Sequence, residues 1–169
     1  MFSVNLIFII ILLTRFYSLY ISKSHEKLLL QKGAVEYGKL NSKCLSIAHV
    51  AFYLSAIVEA NMKHIGIDRM SLFGLLILIF AIAMLFYIIY QLKEIWTVKL
   101  YILPRHDINR SFLFSYIRHP NYFLNIIPEL IGLALFCHAT TTAYIGLPIY
   151  LVFLITRIVQ EERAMAHLR

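Results

Sequence analysis

SLFGLLILIFAIAMLFYIIY, running from Ser71 to Tyr90, carries no charge and is long enough to cross the hydrocarbon core of a bilayer as one helix. The rest of the chain follows from it. Of 169 residues, 60% are hydrophobic, and the mean hydropathy is +0.74. A soluble domain of this size has too little interior to bury so much apolar surface. Four further apolar segments lie at about Phe2–Tyr20, Leu45–Ala60, Tyr122–Cys137 and Thr142–Ile158. A perpendicular span takes roughly 20 apolar residues, with roughly 17 as a lower limit. Phe2–Tyr20 meets that length. Leu45–Ala60 and Tyr122–Cys137 are shorter and carry Glu59 and Glu129, as suits spans packed inside a bundle beside a cavity. The reading is an all-α integral membrane bundle of about five transmembrane helices, forming a single domain over residues 1–169.

The charges between these segments orient the bundle. Lys23, Lys27, Lys32, Lys39, Lys43, Lys93, Lys99, Arg105, Arg110, Arg118, Arg157, Arg163 and Arg169 fall on one side, against Lys63 and Arg69 on the other. Positive charge collects on the cytoplasmic side, so the N-terminus is expected outside and the C-terminus in the cytoplasm. The net charge of +7 is scattered between apolar runs and not massed on one face, which argues against nucleic-acid binding. Phe2–Tyr20 has no basic start and no small-residue cleavage site, so it reads as a retained helix, with Arg15 snorkelling to the cytoplasmic interface. Ser24–Gln31 reads as a short interfacial helix capped by Ser24. Gly33 and Gly38 bracket a bent, closely approached backbone. Lys93–Pro104, with Trp96, Lys99 and Tyr101, either extends the third helix or lies along the interface.

Two polar clusters stand apart from this background. Arg118-His119-Pro120-Asn121-Tyr122 precedes the fourth apolar segment. Pro120 suits the first turn of a helix, so that helix is expected to start at about His119–Asn121, with free N–H groups able to meet a carboxylate or phosphate. Arg118 adds a full charge, and Tyr116 and Tyr122 add flat faces suited to a ring or a sulfonium. The plain alternative is an interfacial aromatic belt beside a topology-setting arginine. Tyr122, Asn125 and Glu129, spaced three and four apart, form a polar stripe. Glu129 lies about 12 Å deeper than Asn121 along such a helix and should face the interior, paired or protonated, either packing against His49 or Glu59 or serving the chemistry. In the last segment, Arg157 and Glu161 are four apart and can pair, while Glu162 points elsewhere. Adjacent glutamates oppose the dipole at a helix carboxyl end, so Arg157, Arg163 or a cationic ligand must compensate, unless the end is simply solvated. Cys44 and Cys137 have no metal-type spacing and imply no disulfide framework; His25, His64, His106 and His167 are scattered, and no metal is assigned.

Tyr116-x-Arg118-His119-Pro120-Asn121-Tyr122, followed by Glu161-Glu162 on the final helix, resembles the isoprenylcysteine carboxyl methyltransferase family, and its small bacterial branch more closely. Gly33-Ala34-Val35-Glu36-Tyr37-Gly38, the stretch from Trp96 to Pro104, and Glu129 are similar to further motifs of that branch. The glycine and proline that precede the Arg-His-Pro motif in many members are absent from Phe112-Leu113-Phe114-Ser115-Tyr116. The resemblance implies an integral membrane methyltransferase using S-adenosylmethionine, with the cofactor site in residues 91–169. It makes His119 and Pro120 cofactor contacts, with Tyr116, Asn121 and Tyr122 beside them, and Glu161 and Glu162 partners of the cofactor's amino and ribose groups.

The reaction that follows is O-methylation of a carboxylate or acidic hydroxyl on a lipophilic acceptor, isoprenylcysteine-like or polyketide-like, at a site facing the cytoplasm of a bacterial inner membrane. Arg118 or Arg157 would orient the acceptor anion. The alternatives are a phospholipid N-methyltransferase, which needs a base such as Glu129 or His119, a nicotinamide-dependent reductase, and a non-enzymatic membrane scaffold.

Overall fold

The computed structural model describes residues 2–102 and 119–165. Tyr116 and Arg118 lie outside the described residues, as do the preceding residues 112–115. Within the described residues the chain forms α1 (Phe2–Gln31), β1 (Val35–Tyr37), α2 (Lys39–Met62), α3 (Arg69–Leu92), β2 (Leu100–Ile102), α4 (Ile127–Phe136) and α5 (Thr140–Met165). A 3₁₀ turn, Lys93–Ile95, follows α3, and a π-helical turn, Asn121–Ile126, leads directly into α4. α1, α2, α3 and α5 are each long and apolar enough to cross a membrane. The run Asn121–Phe136 is shorter and, at 1.5 Å per residue, spans only about 24 Å. The protein is therefore an integral membrane helical bundle. Its outer surface is apolar where lipid would lie, with Leu76, Ile79, Tyr144 and Val152 all exposed.

Two sequence expectations change. Ser24–Gln31 is no separate interfacial helix but the end of α1, whose 30 residues span about 45 Å and so overrun a hydrocarbon core of about 30 Å. The Gly33–Gly38 segment is more than a bend. Val35, Glu36 and Tyr37 pair antiparallel with Ile102, Tyr101 and Leu100, so an otherwise helical protein carries a two-stranded sheet joining its α1–α2 and α3–α4 connections. Gly38 starts α2 with φ 61°, and a Cβ there would run into the Gln160 side chain. Of the two expectations for the segment after α3, extension of the helix does not hold: the α-helix ends at Leu92, with Lys93 at φ 49°. Trp96 is buried, its carbonyl lies 2.8 Å from His25 Nδ1, and the Val98 N–H donates to Ser22 Oγ at 2.9 Å.

Small residues hold the bundle centre. Ser71, Gly74, Leu78, Ala81, Leu85 and Ile88 form the buried stripe of α3, and Gly74 meets Gly132 of α4 backbone to backbone, where a Cβ on either would clash. Such contacts let membrane helices gain dispersion energy without a water-driven hydrophobic term. Phe8, Phe52, Tyr53, Leu130, Leu133, Phe136, Tyr150 and Leu154 complete the core. Cys137 is buried among them as a small apolar residue.

At the end of the bundle away from the sheet, capping is dense. Asp68 accepts from the Ser71 N–H at 2.7 Å to cap α3, and also lies 2.9 Å from His138 Nε2. Glu59 accepts from the N–H groups of Thr141 and Thr142 at 3.0 and 2.9 Å, placing a carboxylate on the positive end of α5. It is thus occupied far from Glu129.

Candidate functional site

The π-helical turn decides which side chains of the fourth membrane segment meet. A π-turn is wider than an α-turn, and such turns occur often at functional sites. The regular spacing of Tyr122, Asn125 and Glu129 would place all three on one stripe, but the structure divides them. Tyr122 turns to α5. Asn125 and Glu129 turn to α1, and Asn125 Nδ2 donates to Asn121 Oδ1 at 3.1 Å.

At the sheet end of the bundle, Tyr122 bridges two residues of α5. Its hydroxyl donates to Glu161 Oε2 at 2.7 Å and accepts from Arg157 Nε at 3.4 Å. The spacing of Arg157 and Glu161 allows a direct pair; in the structure they meet through this hydroxyl. The Arg157 side chain is buried, and its remaining donors go to Ser42 Oγ at 2.5 Å and the Val98 carbonyl at 3.1 Å. All three partners are neutral, and no carboxylate lies within ion-pair distance of Arg157 among the described residues.

His119 stacks on Tyr122, with ring centroids 5.7 Å apart. Its Nδ1 lies 3.5 Å from Glu161 Oε2 and its Nε2 lies 3.5 Å from Glu162 Oε1. These are ion-pair distances, and neither buried ring nitrogen makes a hydrogen bond among the described residues. The two carboxylates, Glu161 foremost, raise the His119 pKa above the ordinary imidazole value, with burial working against them. The compensation needed by adjacent glutamates at a helix end thus comes from His119, not from Arg157. Pro120, with φ −62°, precedes the π-helical turn as its N-cap.

Glu129 is brought to a different place. It is fully buried within the bundle, where Arg15 of α1 pairs with it and the Tyr53 hydroxyl donates to it. His49 Nε2 lies 3.8 Å away and stacks on Tyr53, with centroids 5.0 Å apart. Arg15 also donates to Asn125 Oδ1 at 3.0 Å. The expectation that Arg15 snorkels to the interface is corrected: an interior carboxylate offers a stronger partner than the headgroup region. Composition hides this pairing, because Phe2–Tyr20 reads as one apolar span whichever way Arg15 faces. Ser42, which holds Arg157, was also missed; it is one of three serines on α2, and nothing in the sequence singles it out. No group of three or more His, Cys, Asp or Glu with metal-binding geometry occurs among the described residues.

Comparison with known proteins agrees with this architecture. The chain is 67% identical over 168 residues to an uncharacterized protein of Haemophilus influenzae, covering 99% of this chain and 98% of that one. It is 22% identical over 161 residues to the uncharacterized protein YpbQ of Bacillus subtilis, covering 95% of each. No solved structure matches. The model of the Isoprenylcysteine carboxyl methyltransferase (ICMT) family matches residues 74–167, more than half of the chain. That stretch holds the π-helical turn and the carboxyl end of α5 that closes on it, and through it the chain belongs to the isoprenylcysteine carboxyl methyltransferase family of membrane proteins.

Proposed function

We propose that this protein transfers a methyl group from S-adenosylmethionine to a carboxylate or acidic hydroxyl of a lipophilic acceptor that enters from the membrane. The observation that carries the reading is a separation of charge. Among the described residues, Arg157 is a buried cation held by neutral groups, while Glu161 and Glu162 share His119 and Glu161 also accepts from Tyr122. A site left in this state accommodates a ligand with both signs of charge, and the two orphaned nitrogens of His119 fit a ligand that completes their hydrogen bonds.

When bound, S-adenosylmethionine supplies an electrophilic methyl group on a sulfonium. Glu161 and Glu162 would hold its amino and ribose hydroxyl groups, with His119, Pro120, Asn121, Tyr122 and Tyr116 as its other contacts. Arg157 or Arg118 orients the acceptor anion, and the surrounding apolar helices exclude water. An acceptor oxygen that is already ionised needs no general base. Of the two bases that N-methylation of a phospholipid amine could use, Glu129 is committed to Arg15 and Tyr53, and His119 lies between two carboxylates that favour its protonated form, which supports O-methylation better. The excess of Lys and Arg at the sheet end favours a site facing the cytoplasm, in bacteria at the inner membrane.

Calorimetry with S-adenosylhomocysteine on detergent-purified protein tests the reading. The wild type is expected to bind, and Glu161→Gln/Glu162→Gln is expected to lose at least about tenfold in affinity. Folded wild type that does not bind would return the protein to the scaffold or reductase alternatives.

A further inference from the structure

Three linked hydrogen bonding groups run from the buried ion pair to the start of the π-helical turn: Arg15 donates to Asn125 Oδ1 at 3.0 Å, and Asn125 Nδ2 donates to Asn121 Oδ1 at 3.1 Å. A carboxamide has one accepting and one donating end, whereas a guanidinium only donates. Arg15 therefore settles the direction of the whole chain. Asn125 must present its oxygen to Arg15 and its nitrogen to Asn121, and Asn121 must present its oxygen to Asn125. The free end of Asn121 is then its Nδ2, which has no partner among the described residues, on a side chain that is partly exposed. Glu129 holds Arg15 in place, and Tyr53 holds Glu129. Asn125 is almost fully buried, so solvent does not compete for its two ends.

We infer that Arg15 is a positioning residue that fixes Asn121 as a hydrogen bond donor at the candidate site, matched to the anionic end of the ligand. The inference rests on the cofactor reading for the ligand's identity, though not for the direction of the chain. Asn121 follows His119 by two residues and precedes Tyr122, at the start of the π-helical turn. A donor there suits the carboxylate of the cofactor's methionyl group, and an acceptor there would repel it.

Asn125→Asp tests this with almost no change of shape. Both carboxylate oxygens accept, so Arg15 keeps its partner while Asn121 must reverse to donate to position 125. Its oxygen then becomes the free end. Side-chain amide exchange in protein labelled with nitrogen-15 asparagine reads the direction without any ligand. In the wild type, the Asn121 amide protons are expected to exchange fast and those of Asn125 slowly; in Asn125→Asp, the Asn121 protons become slow. Affinity for S-adenosylhomocysteine is expected to fall about ten- to hundredfold, while 5′-methylthioadenosine, which lacks the carboxylate, is bound as before. Arg15→Met/Glu129→Gln, which leaves no buried charge, is expected to slow the Asn121 exchange as its carboxamide begins to sample both directions. Arg15→Lys, which still donates, restores the wild-type pattern. Slow exchange of Asn121 in the wild type would overturn the inference, as would equal losses for the two nucleosides in Asn125→Asp. If the exchange follows expectation but neither nucleoside binds wild type, the direction of the chain stands and the cofactor reading falls.

Discussion

Arg15 and Glu129 neutralise one another inside the bundle, whereas Arg157 and the Glu161–Glu162 pair, at the end of the same group of helices, do not touch. The two regions share the fourth membrane segment and are built by opposite rules. The inner one is closed by charge: Arg15 pairs with Glu129, Tyr53 donates to the same carboxylate, Asn125 accepts from Arg15, and His49 stacks on Tyr53. Among the described residues the outer one is open: its cation has neutral partners, Glu161 and Glu162 share one imidazole, with Tyr122 donating to Glu161, and neither imidazole nitrogen makes a hydrogen bond. Buried polar groups are expensive when unpaired, so a closed cluster stabilises a fold and an open one stores affinity for something else.

The largest effect should come from opening the closed cluster. Arg15→Leu or Glu129→Leu alone leaves a buried charge without a partner and is expected to cost about 3–5 kcal/mol, seen as a lowered unfolding temperature in detergent. Arg15→Leu/Glu129→Leu should recover most of that loss. A double variant as unstable as the sum of the singles would mean the two residues are not a pair. A smaller effect is expected at the boundary between the clusters. Tyr122→Phe removes the hydroxyl that joins Arg157 to Glu161 and should cost about 1–3 kcal/mol. A neutral Tyr122→Phe would mean that Arg157 and Glu161 are energetically independent.

The smallest effect is a dependence on pH. The raised pKa of His119 means that its pairing with Glu161 and Glu162 contributes fully below the unfolded imidazole pKa of about 6.5 and is lost as pH rises through the folded value. The unfolding temperature of ligand-free protein should therefore fall from about pH 6.5 upward, and His119→Gln should flatten that part of the curve. An unchanged slope in His119→Gln would assign the titration to another group.

Much of this contrast was legible in the sequence, and the remainder was hidden for identifiable reasons. Apolar runs such as Ser71–Tyr90 announce membrane helices because few other structures can use them. His119, Tyr122, Glu161 and Glu162 stood out because polar side chains are rare in such surroundings, and the fold does bring these four together. The sheet escaped notice because each strand has three residues and its partner lies beyond two membrane helices, so no local pattern records it. The stripe through Tyr122, Asn125 and Glu129 was drawn with α-helical spacing, which the π-helical turn does not keep. Arg15 was assigned to the interface because a sequence shows a residue's depth more readily than the direction it faces.

The pairing of β1 with β2 also imposes an order on biosynthesis. β1 leaves the ribosome before α2 and α3, and its partner follows both. Until α3 has been inserted, Val35 and Tyr37 belong to an unpaired strand edge, a feature that invites wrong partners in a nascent chain. The contact of Gly38 with Gln160 comes later still, since Gln160 sits near the end of α5. The sheet end of the bundle, which carries the open cluster, is thus the last part to close, after every helix is already in the membrane.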